Sequence, residues 1–377
     1  MIEVNPRVRL VEAALGEEEV AAVARVLRGG QLAQGPEVRA FEAELASVTG
    51  VTFALALNSG TAALHAGLAA AGIGRGDEVL TTPFTFAASA TPVLMQGARV
   101  RFADIDPRTF NLDAGAALDV VGDARAVVLV DLFGLPFDAR GIAAMREREV
   151  FVFEDAAQAI GAERDGVRAG ARGDAGAFSF YATKNITTGE GGAFVCADPA
   201  LHEAVRRFRH HGQTDTYHYA GLGYNYRMTD LAAAIGRVQL GRLTELTLKR
   251  RCNAAFYDVR LAGIPGLTTP HVPAGATHVY HQYSILIDAE RTPNGADRDA
   301  VRAALGAAGI DSGIYYPKPL HLHPLFAGCG HGAGDFPVAE RVARQILALP
   351  IHQRLERAQL DHVAAALRRA VGAREDD

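Results

Sequence analysis

The sequence is poor in cysteine and in long uncharged apolar runs and has no excess of positive charge, and each shortage removes a class of protein. Its three cysteines, Cys196, Cys252 and Cys329, stand far apart in 377 residues with no C-x-x-C spacing. That excludes a zinc-ribbon pattern and a disulfide framework, and it predicts reduced, buried thiols. A membrane-spanning helix needs about 20 consecutive apolar residues, and no such stretch occurs. The first twenty residues, "MIEVNPRVRLVEAALGEEEV", also lack the continuous apolar core of a signal peptide, so a cytoplasmic protein with no membrane partner is expected. The formal charge of −5 and pI near 6.2 provide no overall basic field for a nucleic-acid backbone, and no recognisable reading helix is present. Internal repeats, low-complexity segments, a P-loop and a G-x-G-x-x-G turn are all missing.

What is present is alternation. Forty glycines and 49% hydrophobic residues at 21% charged fit a compact α/β enzyme. From about Leu15 to Leu240, short apolar runs alternate with helical patterns, as around a mainly parallel sheet. Strands are predicted at "FALAL" (Phe53 to Leu57), "DEVLTT" (Asp77 to Thr82), "ARVRFADI" (Ala98 to Ile105) and "AVVLVDLF" (Ala126 to Phe133). Three more follow at "VFVFEDA" (Val150 to Ala156), "GAFSFY" (Gly176 to Tyr181) and "GAFVCA" (Gly192 to Ala197). "TAALHAGLAAAGIG" is a helix capped by Asn58 or Ser59 and stopped at Gly72 and Gly74. The proline-free pattern from Thr229 to about Leu261 reads as one long connecting helix. Beyond it come a strand "YHQYSILI", a helix from about Arg298 to Ala308, an aromatic strand "GIYY" and two terminal helices. The expected division is a large domain, 1–244, and a smaller C-terminal α/β domain, 245–377.

Three motifs carry chemistry. In "NSGTAAL", Asn58 to Leu64, a strand runs into a glycine turn and a helix leaves it. The free amides of a first helical turn suit a phosphate, although an ordinary capped helix would look the same. In "FEDAAQA", Asp155 ends a buried strand where ligands of open α/β sheets gather, so it needs a cation, and Gln158 lies three residues on. In "FSFYATKNITTGEGG", Lys184 follows another buried run and precedes Thr187, Thr188 and a glycine-rich turn. A buried lysine must be neutralised, paired or covalently occupied. Phosphate turn, acid and lysine at neighbouring strand ends together suggest pyridoxal phosphate: the lysine forms the Schiff base, and the acid keeps the pyridine nitrogen protonated. "TPFTFAAS" adds Phe84 and Phe86, either able to stack on a ring or simply to pack.

These residues resemble the DegT-type sugar aminotransferases, pyridoxal-phosphate enzymes of fold type I. The similarity runs from about Leu15 through "NSGTAAL", "TPFTFAAS", "EDAAQAIGA", "GDAGAFSFYATKNITTGEGG" and "LGYNYRMTD" to "YYPKPLH". The resemblance implies that Lys184 carries the cofactor and shuttles protons, Asp155 pairs with the pyridinium, and Gln158 bonds the ring hydroxyl. By the same likeness Gly60, Thr61 and Ser179 hold the phosphate, and Phe86 stacks on the ring. Asn225 reaches the phosphate of the neighbouring subunit, which makes a homodimer a requirement. Tyr316 and His321 stand near the substrate. Ile160 departs from the family, many of whose members have histidine there.

The implied reaction moves an amino group from an amino acid, glutamate by resemblance, to a nucleotide-linked ketosugar through the pyridoxamine 5'-phosphate form. "TTGEGG" leans toward a 4-keto rather than a 3-keto substrate. Rival readings are a dehydratase of the same family, in which histidine replaces the lysine, and a silent regulatory homologue. The histidine pairs His210/His211 and His321/His323 have no third ligand at suitable spacing, so no metal is expected.

Overall fold

The computed structural model describes residues 7–373. Seven strands form the central sheet: β1 (Phe53–Leu57), β2 (Glu78–Thr81), β3 (Arg99–Phe102), β4 (Ala126–Val130), β5 (Phe151–Asp155), β6 (Ala175–Ser179) and β7 (Gly192–Cys196). Each lies inside one of the predicted runs or within a residue of it. Their order is β1-β7-β6-β5-β4-β2-β3, and every neighbouring pair is parallel except the two that involve β7. β7 therefore starts where the other six end. β4 is buried at every position, as expected of a strand covered by helices on both faces.

Helix α1 (Glu17–Gly29) and α2 (Pro36–Thr49) precede the sheet, and α3 (Gly60–Ala70) leaves β1 with Ser59 as its cap, Oγ accepting the Ala62 amide at 3.1 Å. α3 is buried from Gly60 to Leu68 apart from Thr61, lying between the sheet and α4 (Pro199–Arg209). The long helix expected from Thr229 is two: α5 (Asp230–Gly241) and α6 (Leu243–Leu261). Gly241 weakens the helix at the junction, and Arg242 leaves helical geometry at ψ 3° while its guanidinium bonds Ala14 O and Glu19. Proline-free spacing alone could not reveal that bend.

A second, antiparallel sheet of β8 (Leu267–Thr268), β9 (Tyr283–Ile287) and β10 (Ile346–Leu349) packs with α6, α7 (Arg298–Ala307) and α9 (Arg357–Ala370) around its own apolar cluster; α8 (Pro337–Gln345) leads into β10. Val8 joins this cluster and pairs with Ile310, so the N-terminal segment crosses to the C-terminal part. "GIYY" is not a strand: Gly313 makes a single bridge to Ala348, and the tyrosines that follow are irregular because they turn into a cleft. The thiols also differ from expectation, for Cys196 is buried but Cys252, on α6, is exposed; all three cysteines are free.

Candidate active site

The parallel strands deliver their C-terminal ends to one side, where a cleft of about 660 Å³ opens between the two sheets. Ser59, Gly60 and Thr61 line it from the turn after β1, Asp155 from the end of β5, Ser179 from the end of β6, and Lys184 from the loop beyond. This is where open α/β sheets bind ligands.

The phosphate-ready turn depends on a close approach. A Cβ on Gly192 would lie 2.3 Å from the Ser59 carbonyl and 2.5 Å from the Gly60 nitrogen, and one on Gly60 would come within 2.9 Å of Ser179 Cβ. Only glycine lets the start of β7 and the end of β6 press against the N-terminus of α3. Ser59 takes the Ala62 amide through Oγ and the Ala63 amide through its carbonyl, while the first amides of α3 have no partner within the helix.

The segment carrying Lys184 folds back on its own strand. Phe180 O accepts the Thr188 amide at 2.9 Å and the Thr187 hydroxyl at 3.0 Å, Thr187 Oγ1 takes the Gly189 amide, and the Phe180 amide donates to Gly191 O at 2.8 Å. The threonines and glycines thus close a loop that holds Lys184 within the cleft, and Asn185 pins it by donating to Val279 O at 2.9 Å. Desolvation brings the Lys184 amine down to about 8, with the Asp155 charge pulling the other way. Burial pushes the Asp155 carboxyl up, opposed by Ser89, the Ala157 amide and Lys184. Ser89 Oγ donates to Asp155 Oδ2 at 2.6 Å, and the Ala157 amide to Oδ1 at 3.1 Å.

Gln158 stands beside them: Oε1 accepts the Phe133 amide at 2.6 Å and Nε2 donates to Tyr316 Oη at 3.3 Å. Phe84 is wholly buried whereas Phe86 is 59% exposed at the cleft, its ring centroid 6.2 Å from that of Tyr316. Two expected residues lie elsewhere. Asn225 is exposed and does not line its own chain's cleft; its carbonyl accepts from Asn58 Nδ2 at 3.3 Å. His321 is not at the cleft either: it is buried against Phe336, with Nε2 3.2 Å from Glu340. The packing of a short 3₁₀ turn, Leu320–Leu322, carries its ring away.

Sequence reasoning passed over several lining residues. Thr85 and Ser89 lie within the quoted "TPFTFAAS", but nothing in the pattern fixes the turn that aims them at Asp155. His281 and Gln282 open the strand "YHQYSILI" and also line the cleft. Burial, helped by the charges of Lys184 and Arg250, pushes the basicity of His281 well down. Among the described residues no cluster of potential metal ligands occurs and no helix is long and apolar enough to cross a membrane.

Free amides at a helix start, a buried carboxylate and a lysine of lowered basicity, all converging on one cleft, fit pyridoxal phosphate and define a fold type I enzyme that uses it. The chain belongs to the DegT/DnrJ/EryC1/StrS aminotransferase family, whose model matches residues 13–368. It is thus a pyridoxal-phosphate-dependent sugar aminotransferase. It is 39% identical over 363 residues, 95% of each chain, to the UDP-N-acetyl-3-dehydro-alpha-D-glucosamine 3-aminotransferase of Acidithiobacillus ferrooxidans. The dTDP-3-amino-3,4,6-trideoxy-alpha-D-glucose transaminase of Streptomyces venezuelae is 37% identical, with 97% of this chain and 96% of that one covered. The crystal structure of Streptomyces venezuelae DesV in complex with a ketimine intermediate superposes with a TM-score of 0.93 at 36% identity, covering 98% of this chain and 100% of that one.

Proposed function

We propose that the enzyme moves an amino group from an amino acid, glutamate in the simplest case, to the carbonyl of a nucleotide-linked ketosugar. The observation that carries this reading is the convergence of the buried Asp155 carboxylate and the Lys184 amine on one cleft beside the α3 turn. When bound, pyridoxal phosphate supplies an aldehyde for the amine and a ring that accepts electrons from the substrate carbon.

The chain's own residues do the rest. Gly60, Thr61 and Ser179 would receive the phosphate, Asp155 would pair with the ring nitrogen, Gln158 would offer its amide to the ring hydroxyl, and Phe86 would stack on the ring. Lys184, its basicity lowered to about 8, takes and returns a proton at Nζ. Tyr316, whose hydroxyl takes the Gln158 amide at the cleft wall, is the residue we assign to the sugar, while His321, buried outside the cleft, is left out of that assignment. Asn225, exposed and turned from its own cleft, serves a neighbouring subunit, and we read the working form as a homodimer in the cytoplasm. We also read 1–244 and 245–377 as the two domains, a division supported by the seven-stranded sheet lying wholly in the first and the sheet of β8, β9 and β10 wholly in the second.

The lysine at position 184 favours transfer over dehydration. For the ring position, the "TTGEGG" lean toward a 4-keto sugar meets a second reading: the Acidithiobacillus and Streptomyces relatives bear names that place nitrogen at carbon 3. Incubation with glutamate and a panel of 3-keto and 4-keto nucleotide sugars, with the new amine located by NMR, decides between them. Lys184→Ala should abolish transfer, by a factor of about 10⁴ or more, with circular dichroism unchanged; turnover at the parental rate would refute the assignment.

A further inference from the structure

We propose that Thr85 and Ser89 form a two-hydroxyl relay that keeps the Asp155 carboxylate ionised and fixed in rotation, which makes both of them positioning residues for the ring nitrogen of the cofactor. This rests on the function proposed above. Ser89 Oγ lies 2.6 Å from Asp155 Oδ2, and Thr85 Oγ1 lies 2.9 Å from Ser89 Oγ. Thr85 and Ser89 are each 2% exposed and Asp155 is 4% exposed, so the two hydroxyls are the donors at hand on that side of the acid and are shielded from bulk water.

An ionised carboxylate only accepts, and serine has one hydroxyl proton. The Ser89 proton therefore points at Asp155, and the Thr85 proton at Ser89, giving the chain a single polarity. With the Ala157 amide on Oδ1, each carboxylate oxygen receives one protein donor, and the carboxylate plane cannot turn without losing one. Burial opposes ionisation here, and the other groups whose charge acts on Asp155 are Lys184 and, in its ionised form, Tyr316. Lys184 gives up its free ammonium when it carries the cofactor, so the hydroxyls supply the support that does not depend on the lysine. Ser89 ends the 3₁₀ turn Ala87–Ser89, and its amide donates to Phe86 O at 3.1 Å, so one turn sets both the stacking ring and the anchor of the acid.

The test loads the enzyme with ¹⁵N-labelled pyridoxal phosphate and follows the ring-nitrogen shift from about pH 6 to 10. In Ser89→Ala the midpoint for ring deprotonation should fall by about one pH unit, a tenfold change, or more. Ser89→Thr should restore the parental midpoint, and Thr85→Val should fall between. An unchanged midpoint in Ser89→Ala, with yellow cofactor still bound, overturns the relay and leaves the proposed function standing. Should Ser89→Ala not fold, Ser89→Cys, a weaker donor of similar size, must show the drop, and its failure to do so overturns the relay equally. Parental protein that takes up no cofactor would end both.

Discussion

At the scale of single residues, Lys184 is held where its ordinary charge is unwelcome. A free lysine amine titrates near 10.4, and burial lowers this one to about 8 against the attraction of Asp155. Between those values the unfolded chain holds a proton that the folded chain has released. The penalty is thus complete below pH 8 and fades as pH climbs toward 10. Lys184→Met should remove it. The cofactor-free variant is expected to be more stable than the parent by about 1–3 kcal/mol at pH 7, toward the lower end because Asp155 loses its counter-charge. Urea unfolding at pH 7 and pH 9.5 measures this, and an advantage that grows with pH would contradict the account. The instability that binding chemistry requires is stored in one side chain.

Elements transmit that demand through close backbone packing. β7 begins at Gly192 against the Ser59 carbonyl, so Gly192→Ala must push the strand off the first turn of α3. Overpacking of this kind costs about 1–3 kcal/mol. If the displaced amides are those that take the phosphate, as proposed, cofactor affinity should drop by about tenfold or more. Titration of the cofactor-free variant by absorbance reads this directly, and unaltered affinity would show that the turn has slack. The sequence made this region legible because its strands are continuous apolar runs ending in glycine, acid or lysine, the pattern that places Gly60, Asp155 and Lys184 together. It was least legible where one side chain decides geometry. Arg242 bends a uniformly helical pattern by bonding α1 and the segment before it, and the "GIYY" tyrosines leave strand geometry to face the cleft. His321 follows a helical turn whose rotation no spacing fixes, and Ser89 meets Asp155 across 66 residues of chain. Contacts of that kind are properties of packing, not of local pattern.

On the scale of the whole molecule, the apolar cluster of the central sheet runs on into the C-terminal part, taking in Leu320, Ala339 and Val342, and polar ties hold that join. Asp104, beyond β3, caps α8 by accepting the Val338 and Ala339 amides at 2.9 Å each, and the Leu320 amide donates to Pro83 O at 2.8 Å. A further tie leads outward. Asn58, beside the phosphate turn, donates its amide nitrogen to Asn225 O and its backbone amide to Tyr226 O. His65, on α3, lies 2.9 Å from Tyr226 Oη. The segment with Asn225 is thus fixed to the cofactor turn of its own chain, yet Asn225 is exposed outside that cleft, and Tyr217, Tyr219 and Leu222 nearby are largely exposed as well. A second copy that covers these residues would receive Asn225 at its own phosphate. Mixed dimers test the exchange. In a hybrid of Lys184→Ala and Asn225→Ala chains, one site combines both defects and the other has neither. Random reassociation of equal amounts makes half the dimers hybrid, so activity should recover to about a quarter of the parental value although each parent variant is impaired alone. If mixing restores nothing beyond the mean of the two variants, Asn225 serves its own chain or none.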